Sequence, residues 1–416
     1  YNFDQENKYI NKIYFYLLSK KNIVRPYSIA RNVINGLYLN TEIKNYLSLI
    51  EYKDFPNNID IIIEHFSSNE LLLQFMKVCP IPSFKFEKKF TILRKEILNQ
   101  IYNLKFNENY FKFIISLSSQ CFLNEYIYTE TKDETEKINK IDDNIKNKIE
   151  NNDEINDLEI LILSCYAPLH TYDWCKKLSP SKNVLENYKM QYINFEEEKK
   201  QILSIGSISQ INNKTSIKVK NQYEQNPYPR WTNLGLSIER KDIENVFKSK
   251  NLNLDVNKLN FASEINVLIA GCGTGQHAIT TASLYKNAEI YALDLSFNSL
   301  SYAKRKANEL GIKNMKFVQG DLLEVEKLEK KFDLIESVGV LHHMDDPYTG
   351  WKSLTDCLND NSLMWIGLYS KNARQHISKI RKNIYDLKIR PTKKNMSNLR
   401  NEIFENNNPE MNTIKN

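Results

Sequence analysis

Three glycines, two aspartates and two histidines are the residues of this chain whose types and spacing can do chemistry. Gly271, Gly273 and Gly275 occupy alternate positions directly after the apolar run Val267, Leu268, Ile269 and Ala270. That order reads as a buried parallel strand, a tight turn, and a helix starting under the turn, with His277, Ala278, Ile279 and Leu284 packing one side of it. Glycine is needed where a chain turns sharply and its backbone approaches a ligand closely. The helix start then offers free N–H groups and a positive dipole end. Asp294 ends a second apolar segment, 289–293, and lies 23 residues past Gly271. A carboxylate at the end of the second strand of a βαβ unit can accept hydrogen bonds from both hydroxyls of a ribose. By themselves the loop and this carboxylate describe a nucleotide-cofactor site of unspecified kind.

The elements that must position these residues follow in sequence. Apolar residues at 297, 300, 303, 307 and 310 form a helical stripe that Gly311 stops. Short strands are predicted over 315–318, 332–337 and 363–369, with a helix over 346–358 before the last. Gly320 and Asp321 follow the first of these strands, and His342 and His343 follow the second. Strands alternating with helices imply an α/β, doubly wound, mostly parallel sheet with right-handed crossovers.

In this order the glycine loop, Asp294, Gly320-Asp321, Phe332-Asp333-Leu334-Ile335 and Val340-Leu341-His342-His343-Met344-Asp345-Asp346-Pro347 resemble a class I S-adenosylmethionine-dependent methyltransferase. The likeness covers about residues 263–370 and is nearest to the small-molecule branch. It implies a Rossmann-like fold, S-adenosylmethionine as cofactor, and a methyl acceptor that the residues do not name. By the same likeness the glycine loop faces the methionine part of the cofactor. Asp294 with Leu295 would hold the ribose, and Asp321 with Leu322 would contact the adenine. A dehydrogenase competes for the same loop, but its fingerprint places the third glycine one position later, where this chain has Gln276. The chain departs from the methyltransferase pattern at Ile269, where such enzymes often carry an acid that helps hold the cofactor's amino group. A narrower likeness joins Gln222-Tyr223-Glu224-Gln225-Asn226-Pro227-Tyr228-Pro229-Arg230-Trp231, Leu268 to Gly273, Gln120 to Tyr126 and Gly367 to Ser370. These segments resemble bacterial methyltransferases often fused to tetratricopeptide repeats, and they extend the likeness over most of residues 65–400.

Methyl transfer from a sulfonium is an in-line displacement and is mostly a matter of positioning. Where the acceptor carries a proton, a nearby base helps. His342 and His343 follow the fourth strand of the domain, at the edge where doubly wound sheets bind ligands, so either is a candidate base. The competing reading is that they shape the loop and cap the following helix. Glu336 is a second candidate, or simply a strand-end residue. Tyr223 or Arg230 is a candidate for binding the methionine carboxylate, with 227–231 as a lid stiffened by Pro227 and Pro229; the alternative is a rigid linker. Asn226-Pro227-Tyr228 stands upstream of the sheet, not at the end of the fourth strand, which disfavours exocyclic base methylation. The absence of a Pro-Cys pair there argues against a cytosine-C5 mechanism. Cys272 reads as a small buried spacer, and Ser296 is better placed than Asp294 to cap the helix that begins at Phe297.

Composition sets the outer bounds. A chain of 416 residues with 41% hydrophobic content can build two domains with sizeable cores. A net charge of +6 over this length does not by itself imply nucleic acid. No apolar run approaches the roughly 20 residues needed to span a bilayer. No signal peptide is visible, and six cysteines without a Cys-x-x-Cys pair read as reduced thiols, so a cytoplasmic protein without a metal site is expected. Gly36 is the sole glycine of the first 200 residues, and helical stripes such as Leu71, Leu72, Phe75 and Val78 mark a mainly α-helical domain over 1–200. Within it 129–158, rich in Lys, Asp, Glu and Asn, reads as a solvated loop or exposed helix. Residues 201–235 read as a linker or lid, 236–370 as the methyltransferase domain, and 371–416 as a basic helix and polar tail. The basic stretch 371–394 is a solvated helix face or a site for RNA or an acidic partner. Two further strands usually close such a sheet, and 371–416 offers no strand pair, so the chain is expected to be a fragment or its sheet incomplete. The helical half is expected to cover the site, recruit the acceptor or dock a polypeptide. A non-catalytic binding module with a degenerate site is the remaining reading.

Overall fold

The computed structural model describes residues 6–50, 55–103, 107–249, 261–390 and 392–405, together with 252, 255 and 259. Two compact units divide the chain. One comprises Tyr1–Phe195, Trp231–Asn233 and Gln375–Asn416; the other comprises Glu196–Arg230 and Leu234–Arg374. Past residue 371 the described residues form two helices, Gln375–Asp386 and Lys393–Glu405. The rest of the tail expected there, 406–416, and the side chains of Lys393 and Lys394 lie outside the described residues.

The first unit is built of helices around aromatic side chains, among them Phe66, Phe75, Phe86, Phe90 and Phe113, all fully buried. The polar stretch 129–158 forms the helix Lys132–Asn151. Its isolated isoleucines 138, 141 and 145 fall on one side and are buried. The opposite face carries solvated pairs such as Lys137 with Asp133. A capping box starts this helix: Thr131 N and Oγ1 both donate to Glu134 Oε2 at 2.8 Å. Glu134 is itself buried and accepts from the Tyr166 hydroxyl at 2.8 Å. The fully buried Arg94 guanidinium stands 3.5 Å from Glu134 and donates to the Thr129 carbonyl at 2.7 Å. It also lies 4.0 Å over the Tyr166 ring. A charge taken out of water in this way persists only when paired and hydrogen-bonded.

The second unit carries a six-stranded sheet in the order β1-β4-β3-β2-β5-β6. Its strands are β1 (Gly206–Ser207), β2 (Ile265–Ala270), β3 (Ala288–Asp294), β4 (Met315–Gln319), β5 (Phe332–Val338) and β6 (Leu358–Gly367). Every described pair is parallel. β2 is central, with Val267 paired to Ile290 on one side and Leu334 on the other. Covered on both faces, it carries the unbroken apolar run Val267–Ala270 and not an alternating one. The helix Gln276–Leu284 follows β2, and Phe297–Glu309 follows β3, started by Ser296, whose hydroxyl accepts from Ser299 N at 3.0 Å. Two strands differ from the sequence pattern. β1 is only two residues long and pairs with β4 inside the segment read as a linker. β6 begins at Leu358, five residues before the expected start, because its register against β5 is irregular between Phe332 and Leu334 and its early residues are polar. Asn359 there donates to Asp333 at 2.8 Å in place of apolar packing.

Residues 201–235 also hold a twelve-residue helix, Lys214–Gln225. Its last turn is fixed by Glu224, whose carboxylate accepts from Phe297 N at 2.9 Å, Asn298 N at 3.0 Å and Ser296 Oγ at 3.2 Å. An anion at a helix N-terminus meets free N–H groups and the positive end of the dipole. Glu224→Ala should therefore cost about 1–3 kcal/mol of stability, read by denaturant unfolding, and should speed amide exchange in Lys214–Gln225; wild-type exchange there would refute the anchoring role. Gly275 opens the other critical helix with φ +87, and a Cβ on it would stand 2.6 Å from Ala303 Cβ. Gly275→Ala should lower stability by about 1–3 kcal/mol through backbone strain and overpacking, and an unchanged unfolding midpoint would contradict that packing.

Candidate functional site

A cavity of about 530 Å³ opens along the C-terminal ends of the strands. This is the edge at which open parallel sheets bind ligands, and the size suits a ligand of nucleoside dimensions. Four strand ends form the floor. β2 runs into Gly271, Cys272 and Gly273, β3 into Asp294 and Leu295, β4 into Gly320, Asp321 and Leu322, and β5 into Gly339 and Val340. Asn213, Thr215, Ser216, Val219 and Tyr223 line it from the Lys214–Gln225 helix and its cap, and Tyr228 and Pro229 line it from the segment that follows.

Backbone geometry at the loop explains the glycines. Gly271 has φ +76, and a Cβ on it would sit 2.4 Å from Val340 Cγ2. Removing that Cβ lets the β5 end close against the β2 end. Gly271 N and Cys272 N both donate to the Leu293 carbonyl, at 2.8 and 2.9 Å. Gly273 N donates to Asp294 Oδ2 at 2.7 Å, and Ser296 N donates to Oδ1 at 3.0 Å. Asp294 is thereby locked at the cavity wall, with each oxygen keeping acceptor capacity. Burial pushes its carboxyl above the usual range, while the N–H bonds from Ser296 and Gly273 pull it back. Cys272 is a buried spacer whose thiol burial raises in pKa.

Each residue singled out in the sequence has a definite place. Gly271, Gly273, Asp294, Leu295, Asp321, Leu322 and His343 line the cavity. Gly275 stands behind the loop as the helix N-cap, against Ala303. Asp321 is buried, and its Oδ1 accepts from Leu323 N at 3.0 Å to cap a short 3-10 turn. The histidines divide: His343 lines the cavity, whereas the His342 ring packs between Tyr369, at 4.1 Å, and His343, at 4.3 Å. Arg230 is not among the lining residues, and its charge falls on Glu198. Tyr223 does line the cavity; burial raises its phenol, and nearby Asp294, Tyr369 and Tyr228 add to that shift.

Two features were not foreseen from the residues. The sequence pattern reads 201–235 as a linker or lid without a helix, although 216, 219 and 223 share one face of Lys214–Gln225 and its polar composition hides that stripe. Thr215 Oγ1 of this helix donates to Asp345 Oδ2 at 2.6 Å, across the cavity mouth from the Glu224 anchor. The second is a pair. His277, read as a packing residue of its helix, lines the cavity, and its Nε2 lies 2.8 Å from Glu336 Oε2. The same oxygen accepts from Thr281 Oγ1 at 2.8 Å. Glu336, read as a candidate base or strand-end group, is thus buried and doubly engaged.

Comparison with known proteins agrees with this geometry. Residues 261–408 match a family model described as a methyltransferase domain. A Synechococcus protein of uncharacterised function is 35% identical over 119 residues, covering 28% of this chain and 28% of its own. A probable (S)-tetrahydroprotoberberine N-methyltransferase 2 from Papaver bracteatum is 30% identical over 100 residues, covering 24% and 28%. The release factor glutamine methyltransferase of Flavobacterium psychrophilum is 33% identical over 82 residues, covering 19% and 28%. A solved structure of PKMT2 from Rickettsia typhi with AdoHcy aligns at 19% identity and TM-score 0.30, covering 37% of this chain and 31% of that one. The chain thus spans just over a quarter of the length of these curated relatives. The likeness to proteins fused to tetratricopeptide repeats is not confirmed by these matches. Among the described residues no helix is long and apolar enough to cross a membrane. Residues 261–408 thus resemble a class I S-adenosylmethionine-dependent methyltransferase domain, carried on a Rossmann-like parallel sheet.

Proposed function

We propose that the whole chain is an S-adenosylmethionine-dependent methyltransferase acting on a small-molecule acceptor. The observation that carries this is Asp294, held by Gly273 N and Ser296 N at the wall of the strand-end cavity. A carboxylate fixed by two N–H groups can accept both ribose hydroxyls without rearranging. Asp321 and Leu322 stand one strand further on and would border the adenine. Gly271 and Gly273 would admit the methionine portion close to the backbone. The cofactor, once bound, supplies an electrophilic methyl group on a sulfonium. Tyr223, Tyr228 and Pro229 line the cavity beside the loop and would shield the methyl group from water once the cofactor is bound. His343 faces the same cavity and would take the acceptor's proton. Two Papaver relatives, named as N-methyltransferases of (S)-tetrahydroprotoberberine and of (S)-coclaurine, support a small acceptor.

A protein acceptor is the second reading, favoured by the relative named as a release factor glutamine methyltransferase and by the large helical unit. That unit would then dock the polypeptide. Transfer of labelled methyl to protein, and not to small-molecule extract, would select this reading over the first.

Asp294→Ala should weaken S-adenosylhomocysteine binding by about 2–4 kcal/mol, roughly 30- to 1000-fold, by calorimetry. The ionised carboxylate is the better acceptor, so wild-type affinity should be full above the raised Asp294 pKa and fall as the pH drops through it. Unchanged affinity in the variant would remove Asp294 from the ribose site.

A further inference from the structure

The sheet order sets the strand ends in a row: Asp321 after β4, Asp294 at the end of β3, the glycine loop after β2, then β5. On the cofactor reading proposed above, adenine and ribose occupy the first two places. The substituent on the ribose 5′ carbon must then run over β2 toward β5. That substituent ends in an amino acid, with one ammonium and one carboxylate group. The structure puts two matching features there. The helix Gln276–Leu284 starts at the loop, and its free N–H groups and dipole suit a carboxylate. The second feature is the His277–Glu336 pair.

Glu336 pairs in register with Ile269, so the neighbouring strand brings a buried carboxylate to the level where β2 carries only a hydrocarbon. Glu336 Oε2 accepts from Thr281 Oγ1 and faces His277 Nε2, both at 2.8 Å. The His277 side chain is 39% exposed and lines the cavity, whereas that of Glu336 is 7% exposed. With a proton on Nε2, the atom that faces Glu336, Nδ1 is the acceptor of the imidazole. An acceptor backed by a buried carboxylate suits an ammonium group.

We propose that His277, oriented by Glu336, binds the amino group at the amino-acid end of the cofactor, in the place that Ile269 cannot serve. His277 is the binding residue and Glu336 the positioning residue, and the assignment rests on the methyltransferase reading of the cavity. The pair also fastens helix to sheet, and the two roles make different predictions for a ligand that lacks the amino acid.

The test compares S-adenosylhomocysteine with 5′-methylthioadenosine, which keeps the nucleoside and thioether but has no amino-acid group. Both are titrated calorimetrically into the full chain, as wild type, His277→Ala and Glu336→Gln. His277→Ala should weaken S-adenosylhomocysteine about 10- to 100-fold and leave methylthioadenosine within about threefold. Glu336→Gln should show the same ligand selectivity with a smaller loss. Wild-type affinity for S-adenosylhomocysteine in His277→Ala, or an equal loss of both ligands, overturns the assignment. A wild-type chain that binds neither ligand overturns the cofactor reading and the assignment with it, so the two failures are told apart.

Discussion

The cavity depends on how the end of β2 is tied to the end of β3. Three successive N–H groups of the glycine loop point back at the neighbouring strand: two to the Leu293 carbonyl and one to the Asp294 carboxylate. A strand end that turns away without such partners would leave buried donors unsatisfied. The bonds require φ values near +76 and +53 at Gly271 and Gly273, which side-chain-bearing residues rarely adopt. The loop therefore does two things through one set of contacts. It reverses the chain, and it fixes the Asp294 carboxylate in one orientation at the cavity wall. Burial of that carboxylate costs free energy, and the N–H bonds from Gly273 and Ser296 offset part of it.

The Lys214–Gln225 helix is held over this arrangement by polar anchors at its two ends. Glu224 satisfies the first turn of Phe297–Glu309, and Thr215 bonds Asp345. Few of its side chains are buried, so these contacts, not an apolar core, set its position. Elements fixed by a few polar contacts open at lower free energy than the sheet beneath them. A cover of this kind can admit a cofactor and still exclude water once it has bound.

The helical unit follows different rules. Its interior is apolar and aromatic, but the start of Lys132–Asn151 is pinned by Thr131 together with the buried Arg94, Glu134 and Tyr166. Replacing one member would strand the others without partners, which makes the set a specificity device more than a source of net stability. A helix that looks wholly polar in sequence is thereby tied into the core at its first turn.

The residues alone determined the parallel sheet, the glycine loop and the place of Asp294 and Asp321, because each rests on short-range pattern: an apolar run, alternate glycines, a carboxylate at a strand end. The predicted strands 289–293, 315–318 and 332–337 fall within one residue of β3, β4 and β5 at each end, and the apolar run 267–270 lies inside β2, which starts two residues earlier. Tertiary structure decided the rest. β1 has too few residues to carry a pattern, and the early part of β6 is polar because an irregular register suits hydrogen bonding there. His342 and His343 are neighbours in sequence, yet one lines the cavity and the other packs on Tyr369, a choice made by the path of the loop. His277 and Glu336 are 59 positions apart and meet only because β5 lies beside β2 beneath the helix that β2 feeds. Local spacing reports what a segment can be, whereas a pair drawn from two strands' surroundings exists only once the sheet order has brought them together.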